Sequence, residues 1–237
     1  MSSPQPTATV LHPIGREPSG RLVHVRDAQR GLASNVVCVT CGQPFVARQG
    51  EHNVWHFAHH VAGLTCGGGL MSDAHAYAQQ VLMDASQLTM PARYAQRAQT
   101  WVANYSDPVM EARQPSGYVV DVLVQESGRR LGIEVRYRHA VDMAKRALIQ
   151  ADGLAVIEID ISNTHPQTLY EPEAFRAYVL HGAARAWLHN DDAMRTRLRH
   201  AEASRKWHLR ESPYDDPTVP APRLEPGAGE WTSLTGR

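Results

Sequence analysis

Between Tyr118 and His139 the chain reads YVVDVLVQESGRRLGIEVRYRH. Residues 118–125 alternate and are rich in Val and Leu, Ser127-Gly128 supplies a tight turn, and 131–137 read as the returning strand. This hairpin constrains the fold more than any other stretch. Its apolar runs call for burial, yet each strand carries a carboxylate, Asp121 and Glu134, where a buried hairpin normally carries an apolar residue. Side chains two apart share a strand face, so Arg136 lies beside Glu134. A register that sets Asp121 near Glu134 gathers two acids and a cation on one face. A divalent metal is one partner that offsets the burial of such acids, because Mg2+ is usually held by carboxylates, waters and a substrate phosphate. The other reading is an Asp and a Glu on the solvated face of an edge hairpin, with Arg136 in an ordinary surface pair.

The cysteines carry the second constraint. There are three, an odd number, and all fall between Cys38 and Cys66 in CVTCGQPFVARQGEHNVWHFAHHVAGLTCGGG. A disulfide scaffold would spread more of them along the chain, and a local cluster in a reducing compartment points to metal. Cys38 and Cys41 form a CxxC followed by Gly42, a knuckle that turns both thiolates toward one Zn2+. His56, His59, His60 and Cys66 follow, so four tetrahedral positions are over-supplied. The preferred set is Cys38, Cys41, His59 and Cys66, with His56 the alternative to His59 or Cys66. The competing reading is a small packed knuckle without metal. Only Phe45, Val46, Val54, Trp55 and Phe57 are available to build a core there, and so small a unit usually needs a staple.

The chain has 237 residues, 20% charged and 43% hydrophobic, which fits a soluble globular protein of one large or two small domains. Its formal net charge is +0, so the overall balance gives a nucleic-acid role no support and only local patches can. No apolar run is long enough to span a membrane. Residues 1–20 lack the basic start and continuous apolar core of a secretory signal, and read as a disordered leader to a cytoplasmic protein.

Leu22 to Val25 reads as a short strand. Residues 72–88 read as an amphipathic helix capped by Ser72 or Asp73, with Ala74, Tyr77, Val81, Leu82 and Leu88 at helical spacing and His75 in its first turn. Residues 100–105 and 109–113 read as strands broken at Asp107-Pro108, which makes Glu111 a third acid near the hairpin. A helix over 141–153 ends at Gly153, with Val141, Ala144, Leu148 and Ile149 on its buried face and Lys145 one turn in. The apolar run LAVIEIDIS, 154–162, then reads as a buried strand reached by a crossover.

Taken together, CxxC with HFAH, the helix bearing His75, Asp121, IEV with Glu134, the VD..K run ending in Lys145, and IEIDIS resemble the competence protein CoiA-like family. The resemblance covers about residues 22–190. It implies a mixed α/β, restriction-endonuclease-like core of the PD-(D/E)xK type, with a mixed sheet flanked by helices, behind a zinc-ribbon-like module. The implied division is 21–69 for the zinc module, 70–165 for the core and 166–211 for C-terminal helices, with a disordered tail over 212–237. By resemblance, Asp121 and Glu134 match the family's metal-binding acids and hold Mg2+ or Mn2+. His75 matches the His of the first core helix, and Glu111 an acid upstream of the Asp. Arg185, Trp187 and Asn190 match an "R.WL.N" pattern. Three positions depart from the family: Arg136 stands where the nuclease lysine is expected, Gln79 where relatives carry Lys, and Val120 where they carry Pro. Arg can stabilise a phosphorane oxygen but does not readily lose a proton. Lys145, on the next helix, is the candidate relocated lysine.

The last third reads as two helices, 171–190 opened by Pro172 and 191–211. The second crowds Arg195, Arg197, Arg199, Arg205, Lys206 and Arg210 around Trp207, either a phosphate-tracking face or a solvated helix. The expected activity is metal-dependent cleavage of DNA phosphodiesters, with structural zinc and with DNA-uptake or recombination proteins as partners. The alternatives are an inactive nucleic-acid-binding module on the same fold and a partner-docking protein.

Overall fold

The computed structural model describes residues 11–61, 64, 66, 67, 69–92 and 100–190. The basic helix expected over 191–211 and the tail over 212–237 lie outside the described residues, which all fall in one unit, Met1–Met194.

The described residues begin with two small antiparallel pairs. Strand β1 (Ile14–Arg16) pairs with β2 (Leu22–His24), and β3 (Phe45–Arg48) pairs with β4 (His56–His59). The leader expectation is corrected for residues 11–20: His12, Pro13, Ile14 and Gly15 are buried, and His12 exchanges backbone hydrogen bonds with Phe57. Three residues of strand are too short to show periodicity, so a Pro-rich start masked them. The core of this part is Val25, Val36, Cys38, Phe45, Ala47 and Phe57, with Phe45 and Phe57 stacked at 5.5 Å. Val54 and Trp55, expected in that core, are exposed instead.

Helix α1 (Leu70–Asp84) follows, with Gly69 at its N-cap. Asp73 is therefore not the cap; it lies inside the first turn and is fully buried. The helix ends before Leu88, which belongs to β5 (Gln87–Met90), paired antiparallel with β6 (Trp101–Asn104). Then come β7 (Ser106–Arg113), β8 (Val119–Glu126), β9 (Arg129–Arg136), α2 (Met143–Asp152), β10 (Ala155–Asp160), α3 (Pro172–Ala177) and β11 (Ala184–His189). The five-stranded sheet runs β11-β10-β9-β8-β7. It is mixed: β10 lies parallel to β9, and the other pairings are antiparallel. The fold is thus mixed α/β.

The expected hairpin is β8–β9, and its turn residues Ser127 and Gly128 both have positive φ, 50° and 74°. That is the conformation whose twist matches a two-residue hairpin. Asp107-Pro108 does not break β7. It shifts the register between Ser106 and Val109, with Asp107 at φ 51°, a bulge that an edge strand tolerates. The expected helix over 171–190 is corrected too. It stops after α3 and a π-helical turn (Tyr178–Gly182), and RAWLH forms edge strand β11 against β10.

Residues of α1, α3, β5 and β6 pack on one face of the sheet against Val122, Val124, Ile133, Ile157 and Ile159. Ile149 of α2 packs on Val120, Leu154 and Val156 in a separate cluster. Of the face expected for α2, only Ile149 is buried; Ala144 and Leu148 are exposed, because α2 covers a narrow strip of sheet. Fully burying each such Val, Leu or Ile contributes about 1.5–3 kcal/mol.

Gly132 lies under α2 in the centre of β9. A Cβ there would meet Val156 at 3.0 Å, Val120 at 3.3 Å and Leu154 at 3.4 Å. Both valines are buried and stiff at χ1. Gly132→Ala is expected to destabilise the protein by about 1–2 kcal/mol, read as a lower midpoint in denaturant at unchanged slope.

Candidate functional site

Two groups of side chains stand out, one in each part of the chain. In the N-terminal part, Gly42 takes φ 68° and its amide donates to the Cys38 carbonyl at 3.0 Å, closing the knuckle that brings Cys38 and Cys41 together. His59 ends β4, which pairs with β3, and Cys66 returns from the following loop. The ligand atoms of Cys38, Cys41, His59 and Cys66 all lie within 4.8 Å of one another. Cys38 Sγ is 3.7 Å from Cys66 Sγ, and Cys41 Sγ is 3.3 Å from His59 Nε2. Two sulfurs each about 2.3 Å from a tetrahedral ion lie about 3.8 Å apart, so the group could hold a metal ion such as zinc. His56 is not part of it. Its Nδ1 lies 2.8 Å from the Val54 carbonyl at the start of β4.

The second group lines an open cleft of about 220 Å³ formed by His75, Asp121, Glu134, Val135, Arg136, His139, Ala140, Val141, Asp142, Lys145 and Glu158. Its floor is the place where β8 leaves its neighbours. The β8–β9 ladder ends at Val122↔Ile133, one step short of setting Asp121 opposite Glu134. The β7–β8 ladder passes from Met110↔Val122 to Ala112↔Val120, skipping Asp121 as well. At the skipped position on β7, Glu111 has φ 48°. Asp121 is thus the one residue of β8 in neither register. Its carboxylate takes the place of the missing ladder acceptor: Oδ2 accepts the Val135 amide at 2.7 Å. The Asp121 side chain remains in the cleft, where His75 Nε2 lies 3.3 Å from the same oxygen.

Glu134 is buried, 5% exposed, in the middle of the sheet. Lys145 Nζ donates to its Oε2 at 2.7 Å, while Oε1 has no hydrogen-bond partner among the described residues. Lys145 is aimed by the helix start: Asp142 caps α2 by accepting the Lys145 amide at 2.7 Å. Arg136 Nη1 lies 3.7 Å from Glu158 and 3.4 Å from Asp160, and its buried Nε has no partner among the described residues.

The charges follow from these contacts. Burial and the neighbouring Asp121 push the Glu134 carboxyl up to about 7, against the pull of Lys145. Burial pushes Asp121 up as well, but the bonds from His75 and Val135 outweigh it and hold Asp121 below its ordinary value. The Asp121 carboxylate in turn raises His75. The site therefore holds one firmly ionised acid beside one that changes charge near neutrality.

Of the site residues expected from sequence, His75, Asp121, Glu134, Arg136 and Lys145 line one cleft. Glu111 does not: it is exposed on β7. Arg185 and Trp187 are braces. Arg185 donates to the carbonyls of Ala183, Thr89 and Leu180, and Trp187 to Ala92. Gln79 is buried in α1. Glu158, which lines the cleft, and Asp160, which faces Arg136 beside it, were not expected there. Their signal was present, two acids at i and i+2 in an otherwise apolar strand, and parallel pairing sets them beside Glu134 and Arg136. No family model, curated protein or solved structure matches the chain. Among the described residues, no helix is long and apolar enough to cross a membrane.

Two outcomes follow. Metal analysis of protein purified without chelator should find about one ion per chain in the cysteine group. Cys66→Ser and His59→Ala should lose it and His56→Ala should keep it; the reverse pattern for the two histidines would reassign the ligand. For Glu134, the folded protein favours the protonated form, so the associated stability is full below its ordinary 4.5 and is lost as pH rises through about 7. In buffer without added divalent ions, Glu134→Gln should therefore be more stable than wild type at pH 8, by roughly 2 kcal/mol, with the advantage fading toward pH 5. Denaturation midpoints at both pH values check this, and equal midpoints at pH 8 would exclude it.

Proposed function

We propose that this protein is a metal-dependent nuclease acting on DNA phosphodiesters, with a restriction-endonuclease-like core and a structural zinc in the Cys38, Cys41, His59 and Cys66 group. One observation carries the reading. Two residues apart on β9, Glu134 Oε1 is a buried acceptor without a partner and Arg136 Nε a buried donor without one, both among the described residues and in one cleft. Buried polar atoms are seldom left unpaired. A ligand that satisfies both presents a cation to Glu134 and an anion to Arg136, and a cation-bound phosphate does so.

Asp121 and Glu134 are the residues that would hold Mg2+ or Mn2+, and the hard oxygen donors fit such an ion. The ion, when bound, supplies charge for a phosphodiester oxygen and lowers the pKa of water. The chain's own residues do the rest. His75 and the Val135 amide fix the Asp121 carboxylate. Arg136 offers its unpaired Nε–H to a non-bridging phosphate oxygen, and Lys145, held at Glu134 Oε2, places a positive charge beside the phosphate oxygens on which negative charge builds during attack. Arg136, held toward Glu158 and Asp160, has left the nuclease lysine's role, and Lys145 fills it from α2.

Incubation of the metal-loaded full chain with single- and double-stranded DNA in Mg2+ or Mn2+ tests this. Asp121→Asn and Glu134→Gln should each lower cleavage by at least about 100-fold. Lys145→Ala should cost as much as Glu134→Gln, and Arg136→Lys should be tolerated. Wild-type protein that cleaves neither DNA nor RNA, yet binds DNA with a steep salt dependence, would make this a binding module instead.

A further inference from the structure

His75 reaches the cleft from α1, an element separate from the hairpin, and meets Asp121 on β8. Two residues before it, Asp73 is fully buried in the first turn of α1. Its Oδ2 is 2.9 Å from Nδ1 of His12, itself 2% exposed, and its Oδ1 has no partner among the described residues. His12 is anchored in the N-terminal part at every other side. Its amide donates to Phe57 O at 3.3 Å and its carbonyl accepts from Phe57 N at 2.6 Å. Its ring leans on Phe45 at 5.1 Å and meets the ring of His59, a member of the cysteine group, edge-on at 5.6 Å.

A buried pair of this kind is weak as a source of stability, since apolar residues of the same volume often do as well. Its best-attested use is to fix one register against its neighbours. Ala74, Ala78, Val81 and Leu82 pack on apolar surface that fixes no register, and the bonds of Arg21 to Asp84 and of Tyr105 to the Leu82 carbonyl hold the far end of α1, so a shift of its first turn moves His75 away from Asp121.

We propose that His12 and Asp73 are positioning residues: a buried strut by which the N-terminal part, with its cysteine group, sets the place of α1 and so holds His75 against Asp121. The strut stands on contacts within the chain, and it rests on the reading of the cleft as a cation site only for its second readout.

The test uses the full chain with its cysteine-group metal bound. The side-chain nitrogen of Asn occupies the place of Nδ1, and that of Gln the place of Nε2. His12→Asn can therefore still donate to Asp73, while His12→Gln cannot. The first readout is hydrogen exchange of the Val135 amide, which donates to Asp121 and needs neither metal nor activity. In His12→Gln it should exchange at least about tenfold faster, with the amides of Ile157 and Ile159 in β10 unchanged, and His12→Asn should restore wild-type protection. The second is calorimetric Mn2+ binding, which should weaken about tenfold in His12→Gln and recover in His12→Asn. Equal Val135 protection in all three proteins, equal loss in Asn and Gln, or loosening that spreads to β10 would each overturn the strut. Wild-type protein that binds no Mn2+ while Val135 responds as stated would uphold the strut and remove the cation reading. Unchanged Val135 exchange with normal Mn2+ binding would do the opposite.

Discussion

A carboxylate buried in a central strand has to be answered by something, and in this protein the answer to Glu134 organises the site. Lys145 reaches it from α2 and Arg136 stands two residues along its own strand. Asp121 lies close enough to push its ionisation toward neutrality. Removing an ion from water is expensive even when it is paired, and here burial outweighs Lys145. The carboxyl is left poised between its charged and neutral forms.

The backbone makes room for the cleft. Sheets satisfy their amides by ladders, and a strand that leaves both neighbours would orphan its partners. At Asp121 the side chain replaces the ladder, since Oδ2 takes the Val135 amide. The same departure that opens the cleft is therefore satisfied by the residue the cleft needs. The positive φ of Glu111 on β7 lies at the same level of the sheet and lets the outer strand follow the turn. Backbone in that region is uncommon outside glycine and concentrates where structure over-determines it.

The N-terminal part is tied to the core by polar contacts that are individually modest and geometrically specific. Arg21 makes two bonds, at 3.0 and 2.7 Å, to Asp84, the last residue of α1 and at the end away from Asp73. His24 meets the Leu169 carbonyl, Tyr170 donates to Leu11, and Arg26 pairs with Glu171. The exposed pairs add little stability. Of these contacts, Arg21 with Asp84 and His12 with Asp73 hold the two ends of α1, which is the helix that carries His75.

Much of this was legible in the sequence, for a physical reason. The hairpin, its Ser127-Gly128 turn, the crossover into β10 and the Cys3His group are local: they rest on alternation, on turn chemistry and on ligand spacing, all of which a single stretch displays. His59 against His56 was left open there, and only the pairing of β4 with β3, which decides which end of HFAH reaches the knuckle, separated them. Residues 184–189 were read as helix because a short apolar run looks alike in either conformation, and the free edge of β10 decided it. Glu158 and Asp160 could not be placed beside Glu134 and Arg136 from the sequence, since a parallel register is set by how the crossover helix packs and not by any residue in the strand. The sequence by itself determined that Asp121, Glu134 and Arg136 share one hairpin and that Lys145 opens the next helix, because that placement is local to one stretch. Only the tertiary structure decided which side chains meet, because the contacts of His75 with Asp121, Lys145 with Glu134 and His12 with Asp73 join elements whose relative placement comes from burying apolar faces.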